Sequence, residues 1–130
     1  MKKTENFYRA LNNLKDIYDY DEPYGNVIMT GLVGLYEICF EQAWKAIKEL
    51  LQEEGYPEAQ TGSPRQVLKT AYSAGVIHDE QIWLEALQER NNVTHAYNPE
   101  VALGIIARTK DGFYEMFQQL RSDMEQRAAE

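Results

Sequence analysis

A chain of 130 residues can bury roughly two-thirds of its unfolded surface, enough for one hydrophobic core without metals or disulfides, so a single domain over residues 1–130 is expected. Thirteen basic against twenty-one acidic residues leave a net charge of −8, which opposes general attraction to nucleic acid and confines any RNA or DNA contact to a local basic cluster. The polar opening Met1–Asn6 has no signal-peptide core and no apolar run could span a bilayer, so a cytoplasmic protein without membrane contact is expected.

The apolar positions follow a helical period almost throughout, with no internal repeat. Thr4 can cap a first helix on which Phe7, Leu11, Leu14 and Ile17 recur at three-to-four spacing, ending before the polar turn Asp19–Glu22. Pro23 suits the first turn of a second helix, which carries Ile28, Leu32, Leu35, Cys39, Ala43, Ile47 and Leu50 on one stripe and stops at Gly55. At roughly thirty residues it should be about 45 Å long. A further apolar line, Phe40, Trp44 and Leu51, implies contact on more than one side, with some surface left for another subunit. Cys39 has no disulfide partner and is expected as a buried, inert thiol.

Residues 55–62 read as a loop, after which Ser63-Pro64-Arg65-Gln66 forms a capping box with proline in the first turn. The short helix so opened holds Val67, Leu68, Ala71 and Tyr72 and ends at Gly75. Asp79 caps the next, whose apolar positions are Ile82, Trp83, Ala86 and Leu87 and which leads into Arg90. Asn98-Pro99-Glu100 opens a final helix running through Ile105, Phe113, Phe117 and Leu120, and Ser122–Glu130 is expected as a frayed tail. The fold class is all-α, an antiparallel up-and-down bundle of four to five helices.

Between two apolar helices stands Arg90-Asn91-Asn92-Val93-Thr94-His95-Ala96-Tyr97, a concentration of reactive side chains that an ordinary bundle turn does not need. On an unbroken helix Arg90 and Tyr97 fall about 20° apart, while His95 lies about 140° from Arg90. Either the helix breaks near Asn91-Asn92 and lets His95 swing round, or two copies pool their side chains across a symmetry axis. Two imidazoles could then remove a proton from a ribose 2′-hydroxyl and return one to the leaving oxygen, while guanidinium groups hold the phosphate. That is the layout of a metal-independent ribonuclease. The blander alternative has His95 as a helix cap, Arg90 paired with a nearby acid such as Glu89 and Tyr97 as a half-buried aromatic.

The blocks Tyr36–Lys45, Ser63-Pro64-Arg65, Ala74–Asp79, Trp83 and Arg90-Asn91 to His95-Ala96-Tyr97, in that order, resemble the bacterial nucleotidyltransferase substrate-binding subunits of the HEPN superfamily, which includes the HepT toxins. The signature of the toxins is Arg, four to six residues, His, one residue, Tyr, and here the spacing is four. The resemblance spans roughly Tyr8 to Leu120. It implies a homodimeric bundle with the Arg and His of both protomers lining a cleft, and a minimal nucleotidyltransferase as partner. In the toxin and antitoxin arrangement so implied, Arg90 and His95 cleave RNA and the partner silences the site by AMPylation of Tyr97. In the reading carried by the family's name, the same cleft only presents a substrate or nucleotide to the partner. A plain helical dimerisation module is the third possibility.

No cofactor or metal is expected of this chain: two histidines and one cysteine show no zinc spacing, and the Gly-Ser start and paired aspartates of a nucleotidyltransferase are missing, so any catalytic metal belongs to the partner. Asn91 is a supporting candidate beside Arg90. Glu37, Glu41 and Lys45 stand one helical turn apart and read first as a solvated ion-pair face, but either acid could instead orient Arg90 across the bundle. His78 reads as a surface or capping residue, and Trp44 and Trp83 as core or interface aromatics.

Overall fold

Capping chemistry sets most of the helix boundaries in the computed structural model, which describes residues 2–130. The elements are α1 (Lys2–Leu14), a 3-10 turn (Lys15–Asp19), α2 (Asn26–Glu53), a 3-10 turn (Pro57–Ala59), α3 (Pro64–Ser73), α4 (Glu80–Asn92), a 3-10 turn (Val93–His95), α5 (Pro99–Arg108), a π-helical turn (Thr109–Phe113) and α6 (Tyr114–Ala129). Because the flanking residues Arg108, Phe113 and Tyr114 all keep helical dihedrals, α5 and α6 form one continuous rod, and the described residues make a bundle of five helices. No strand occurs among the described residues, and no helix among them is long and apolar enough to cross a membrane.

The expected caps at three starts are present. Ser63 Oγ accepts from the Gln66 amide while Gln66 Oε1 accepts from the Ser63 amide, Asp79 accepts from the Ile82 amide, and Asn98 accepts from the Glu100 amide. The two glycine stops share one geometry. Gly55 and Gly75 adopt φ of +89° and +76°, and the following amides of Tyr56 and Val76 bond back to the carbonyls of Leu51 and Ala71.

Other boundaries differ from the sequence reading. Helix α1 is already under way at Lys2, so Thr4 lies inside its first turn and is not a cap. Helix α2 starts at Asn26 after an extended Gly25, three residues beyond Pro23. Residues 20–24 are engaged elsewhere: Lys110 Nζ donates to the Tyr20 carbonyl at 2.5 Å and to the Tyr24 hydroxyl at 3.0 Å, and Tyr18 donates to the Lys110 carbonyl at 2.8 Å. The π-helical turn thus anchors the α1–α2 connection. Inside it the buried Thr109 hydroxyl donates to the Ile105 carbonyl one turn back, a side-chain bond that competes with the regular ladder.

The tail is helical to Ala129 and not frayed. Met124 is buried in the core, and Arg127 donates to Glu54 at 2.6 Å, tying the last turn to the end of α2.

Helix α2 is the spine of the bundle, touching α1, α3, α4 and α5. Its buried residues, among them Leu32, Tyr36, Cys39, Phe40, Ala43, Ile47 and Leu51, supply the centre of one hydrophobic cluster that draws on every helix. Aromatic rings dominate it: Tyr36 stacks on Phe113, and Trp83 meets Phe117 edge-on with centroids 5.6 Å apart. The buried Tyr36 hydroxyl donates to the Ala86 carbonyl, joining α2 to the middle of α4. Burial pushes the ionisation of Tyr36 and of the Cys39 thiol well above their usual ranges, which keeps both neutral in the fold.

Candidate functional site

The first two turns of α4 lock that helix into the core through Trp83, Ala86 and Leu87, and this anchorage fixes where Arg90 emerges in the last turn. The Arg90 side chain is about a quarter exposed, and its Nε donates to Glu41 Oε1 at 2.5 Å across 49 residues of sequence. Glu41 is held from its other side, since Trp44 Nε1 donates to Oε2 at 3.1 Å. The carboxylate is therefore fixed at both oxygens and presents one of them to the guanidinium. Asn91 Oδ1 accepts from Arg90 Nη1 at 3.2 Å, so two of the guanidinium nitrogens are committed, while Nη2 has no protein partner among the described residues.

The partner of Arg90 is Glu41, and Glu89 is engaged instead by Asn92 at 2.8 Å. Arg90 is thus paired with an acid, as the blander alternative expected, but with Glu41 across the bundle and not with its neighbour Glu89. Nor does the expected ladder along α2 form: neither Glu37 nor Glu41 pairs with Lys45, and Glu37 makes no bond to Arg90, among the described residues. Glu41 is drawn off the solvated face by the charge that α4 brings beside it.

Helix α4 does end where Asn91-Asn92 suggested, passing at Val93 into the 3-10 turn that contains His95. Ala96 and Asn98 amides bond to the Val93 and His95 carbonyls at 3.0 Å each, so backbone bonds hold the segment until Asn98 caps α5. At about 100° per residue to Asn92 and about 120° through the tighter turn, His95 still lies roughly 160° round from Arg90. No hydrogen bond links the two side chains. His95 is exposed, Tyr97 is 85% exposed, and their rings meet edge-on with centroids 6.4 Å apart. His95 does not cap a helix and Tyr97 is not half-buried.

The motif thus falls into two separate groups of side chains. The first is a fixed guanidinium with Glu41 and Asn91. The second is a free imidazole beside a free phenol. Arg90 and Asn91 also line a recess of about 240 Å³ whose opposite wall is the start of α3, with Ser63, Pro64 and Arg65. In the sequence Arg65 stands in the capping box and in one of the resemblance blocks, and nothing local marks it as sharing a recess with Arg90. His78 lies elsewhere, exposed, with Nε2 3.0 Å from Asp123.

A five-helix bundle with an Arg-x4-His-x-Tyr motif at the end of α4 defines a class, and the family model described as "Nucleotidyltransferase substrate binding protein like" matches residues 2–126. The chain belongs to that family. A Haemophilus influenzae protein named "Probable ribonuclease HepT" is 26% identical over 101 residues, which cover 74% of this chain and 69% of that protein. A crystal structure from Thermus thermophilus superposes with a TM-score of 0.74 at 27% identity, covering 88% of this chain and 94% of the other. A second structure, from H. influenzae and described as revealing the fold of a substrate-binding domain of a nucleotidyltransferase, superposes with a TM-score of 0.79 at 19% identity, over 94% of this chain and 98% of that one, and so speaks to the fold.

Proposed function

We propose that this chain is a HepT-type toxin subunit, a metal-independent endoribonuclease that works as a homodimer under the control of a minimal nucleotidyltransferase. The observation that carries the reading is the division of the motif: Arg90 is fixed by Glu41, whereas His95 is free, exposed and turned to another side. A single copy offers only one imidazole, and apposing two copies supplies a second together with the partner's guanidinium. One His95 removes the 2′-hydroxyl proton, the 2′ oxygen attacks the adjacent phosphorus, and the bond from phosphorus to the 5′ oxygen breaks. The imidazolium of the second protomer protonates that leaving oxygen, giving a 2′,3′-cyclic phosphate and a free 5′-hydroxyl. Arg90, positioned by Glu41 and Asn91, faces the charge that builds on the non-bridging oxygens.

The exposure of Tyr97 supports the control step, because a hydroxyl must be reachable to accept AMP. A nucleotide there places a bulky anion beside His95 and within the field of Arg90, closing the site to RNA. A second reading, in which the chain only presents a substrate to the nucleotidyltransferase, draws support from the family's description and from the Glu41–Arg90 pair, which leaves little net positive charge in one protomer.

The test is cleavage of total RNA by purified protein, unmodified at Tyr97 by intact mass, against its His95→Ala variant. Cleavage lost in the variant supports the ribonuclease; no cleavage by either protein favours the substrate-presenting subunit.

A further inference from the structure

The recess between α3 and α4 gives the Arg90 group a second cation. Six arginines occur in the chain. Arg90, Arg108 and Arg127 are paired with Glu41, Glu85 and Glu54, and Arg121 is held by Asn12 and Glu125. Arg65 and Arg9 have no partner among the described residues, and of these two only Arg65 lines a recess that also contains candidate-site residues. In a chain of net charge −8, an exposed and unpaired guanidinium beside a second one is a local exception to the overall field.

The two arginines are not equivalent. Arg90 spends two of its five N–H donors on Glu41 and Asn91, and the Glu41 carboxylate offsets its charge, so in one protomer it contributes direction more than net charge. Arg65 keeps its full charge and its forked donors, the geometry that matches a phosphate oxygen pair. The recess between them is bordered by aliphatic Leu84 and Leu87 and by polar Ser63, Gln88 and Asn91, with no acidic side chain on its wall to repel an anion.

We propose that Arg65 is a substrate-binding residue that grips an RNA backbone phosphate in this recess, one or a few nucleotides from the bond presented to Arg90 and His95. The inference rests on the RNA reading of the same site and adds to it the path by which the strand leaves the site, over the start of α3. It also supplies the positive charge that composition withholds: affinity for RNA comes from a local pair, not from the whole surface.

The closing experiment measures fluorescence anisotropy of a labelled random-sequence 20-nucleotide RNA across a salt series, using His95→Ala protein unmodified at Tyr97 so that the probe stays intact. Adding Arg65→Ala should weaken binding about five- to tenfold and flatten the salt dependence by roughly 0.7, the loss of one phosphate contact. Arg65→Lys should restore the slope, and Arg9→Ala, the same change of net charge on α1, should leave binding unaltered. An Arg65→Ala variant that binds like its parent, or an Arg9→Ala variant that loses as much, overturns the inference. A parent that binds no RNA overturns both the inference and the ribonuclease reading. With His95 intact, Arg65→Ala should raise KM for cleavage with kcat unchanged; cleavage with an unaltered KM sinks the role of Arg65 and leaves the ribonuclease standing.

Discussion

The two ends of α4 stand in opposite surroundings. Its first turns bury Trp83, Ala86 and Leu87 and receive the Tyr36 hydroxyl, whereas its last turn and the 3-10 turn beyond hold Arg90, His95 and Tyr97 at the surface. Core packing and the exposed polar motif are thus separated within about fifteen residues of sequence. The buried half can aim the exposed half because close-packed aromatics leave it little freedom to rotate or slide. At the exposed end only Val93 and Ala96 still pack against the core, and His95 and Tyr97 stand clear of it.

The sharpest way to break this separation is to hollow the anchor. Phe117→Ala removes a fully buried ring from against Trp83, Tyr36 and Phe7, and should cost about 3–5 kcal/mol in urea unfolding. Truncation after Ser122 removes Met124 and the Arg127–Glu54 pair, and a loss of about 2 kcal/mol is expected; a frayed tail would cost nothing.

Tyr36→Phe deletes the bond to the Ala86 carbonyl and should cost about 1 kcal/mol. The same core sets an alkaline limit. Burial raises the ionisation of Cys39 and Tyr36 in the fold above the ordinary values of 9.0 and 10.0, so the unfolded chain releases those protons first. Stability from this source is complete below pH 9 and is lost progressively as pH rises above it, and Cys39→Ala should flatten the first part of that fall in pH-jump denaturation. Native Cys39 should accordingly resist a thiol reagent that labels the unfolded chain at once.

Changes at the exposed end should invert the pattern. Glu41→Gln keeps an acceptor for Trp44 but removes the charge that fixes Arg90; unfolding should shift by less than about 1 kcal/mol while RNA cleavage falls on the order of tenfold. Tyr97→Phe, 85% exposed, should leave both stability and cleavage unchanged and abolish incorporation of labelled AMP by the partner. A stability loss from either substitution comparable to that of Tyr36→Phe would show that the two ends are not independent.

Much of this was legible in the sequence because it is local. A helical period, a capping box at Ser63 and Gln66, caps at Asp79 and Asn98 and stops at Gly55 and Gly75 all involve residues within about five positions, where backbone geometry fixes who meets whom. The polar turn itself was visible for the same reason, as was the end of α4 near Asn91-Asn92. What the sequence left open depended on which faces pack together. That Arg90 meets Glu41 and not Glu89, that Lys110 holds the residues after Tyr18 and delays α2 to Asn26, and that Arg65 stands across a recess from Arg90 are contacts between distant segments. The tail belongs with them, since its polar residues give a weak periodic signal and only the docking of Met124 and Arg127 makes it a helix. Periodicity states that a side is apolar; the tertiary packing decides what it is apolar against, and so which charges are brought within reach of one another.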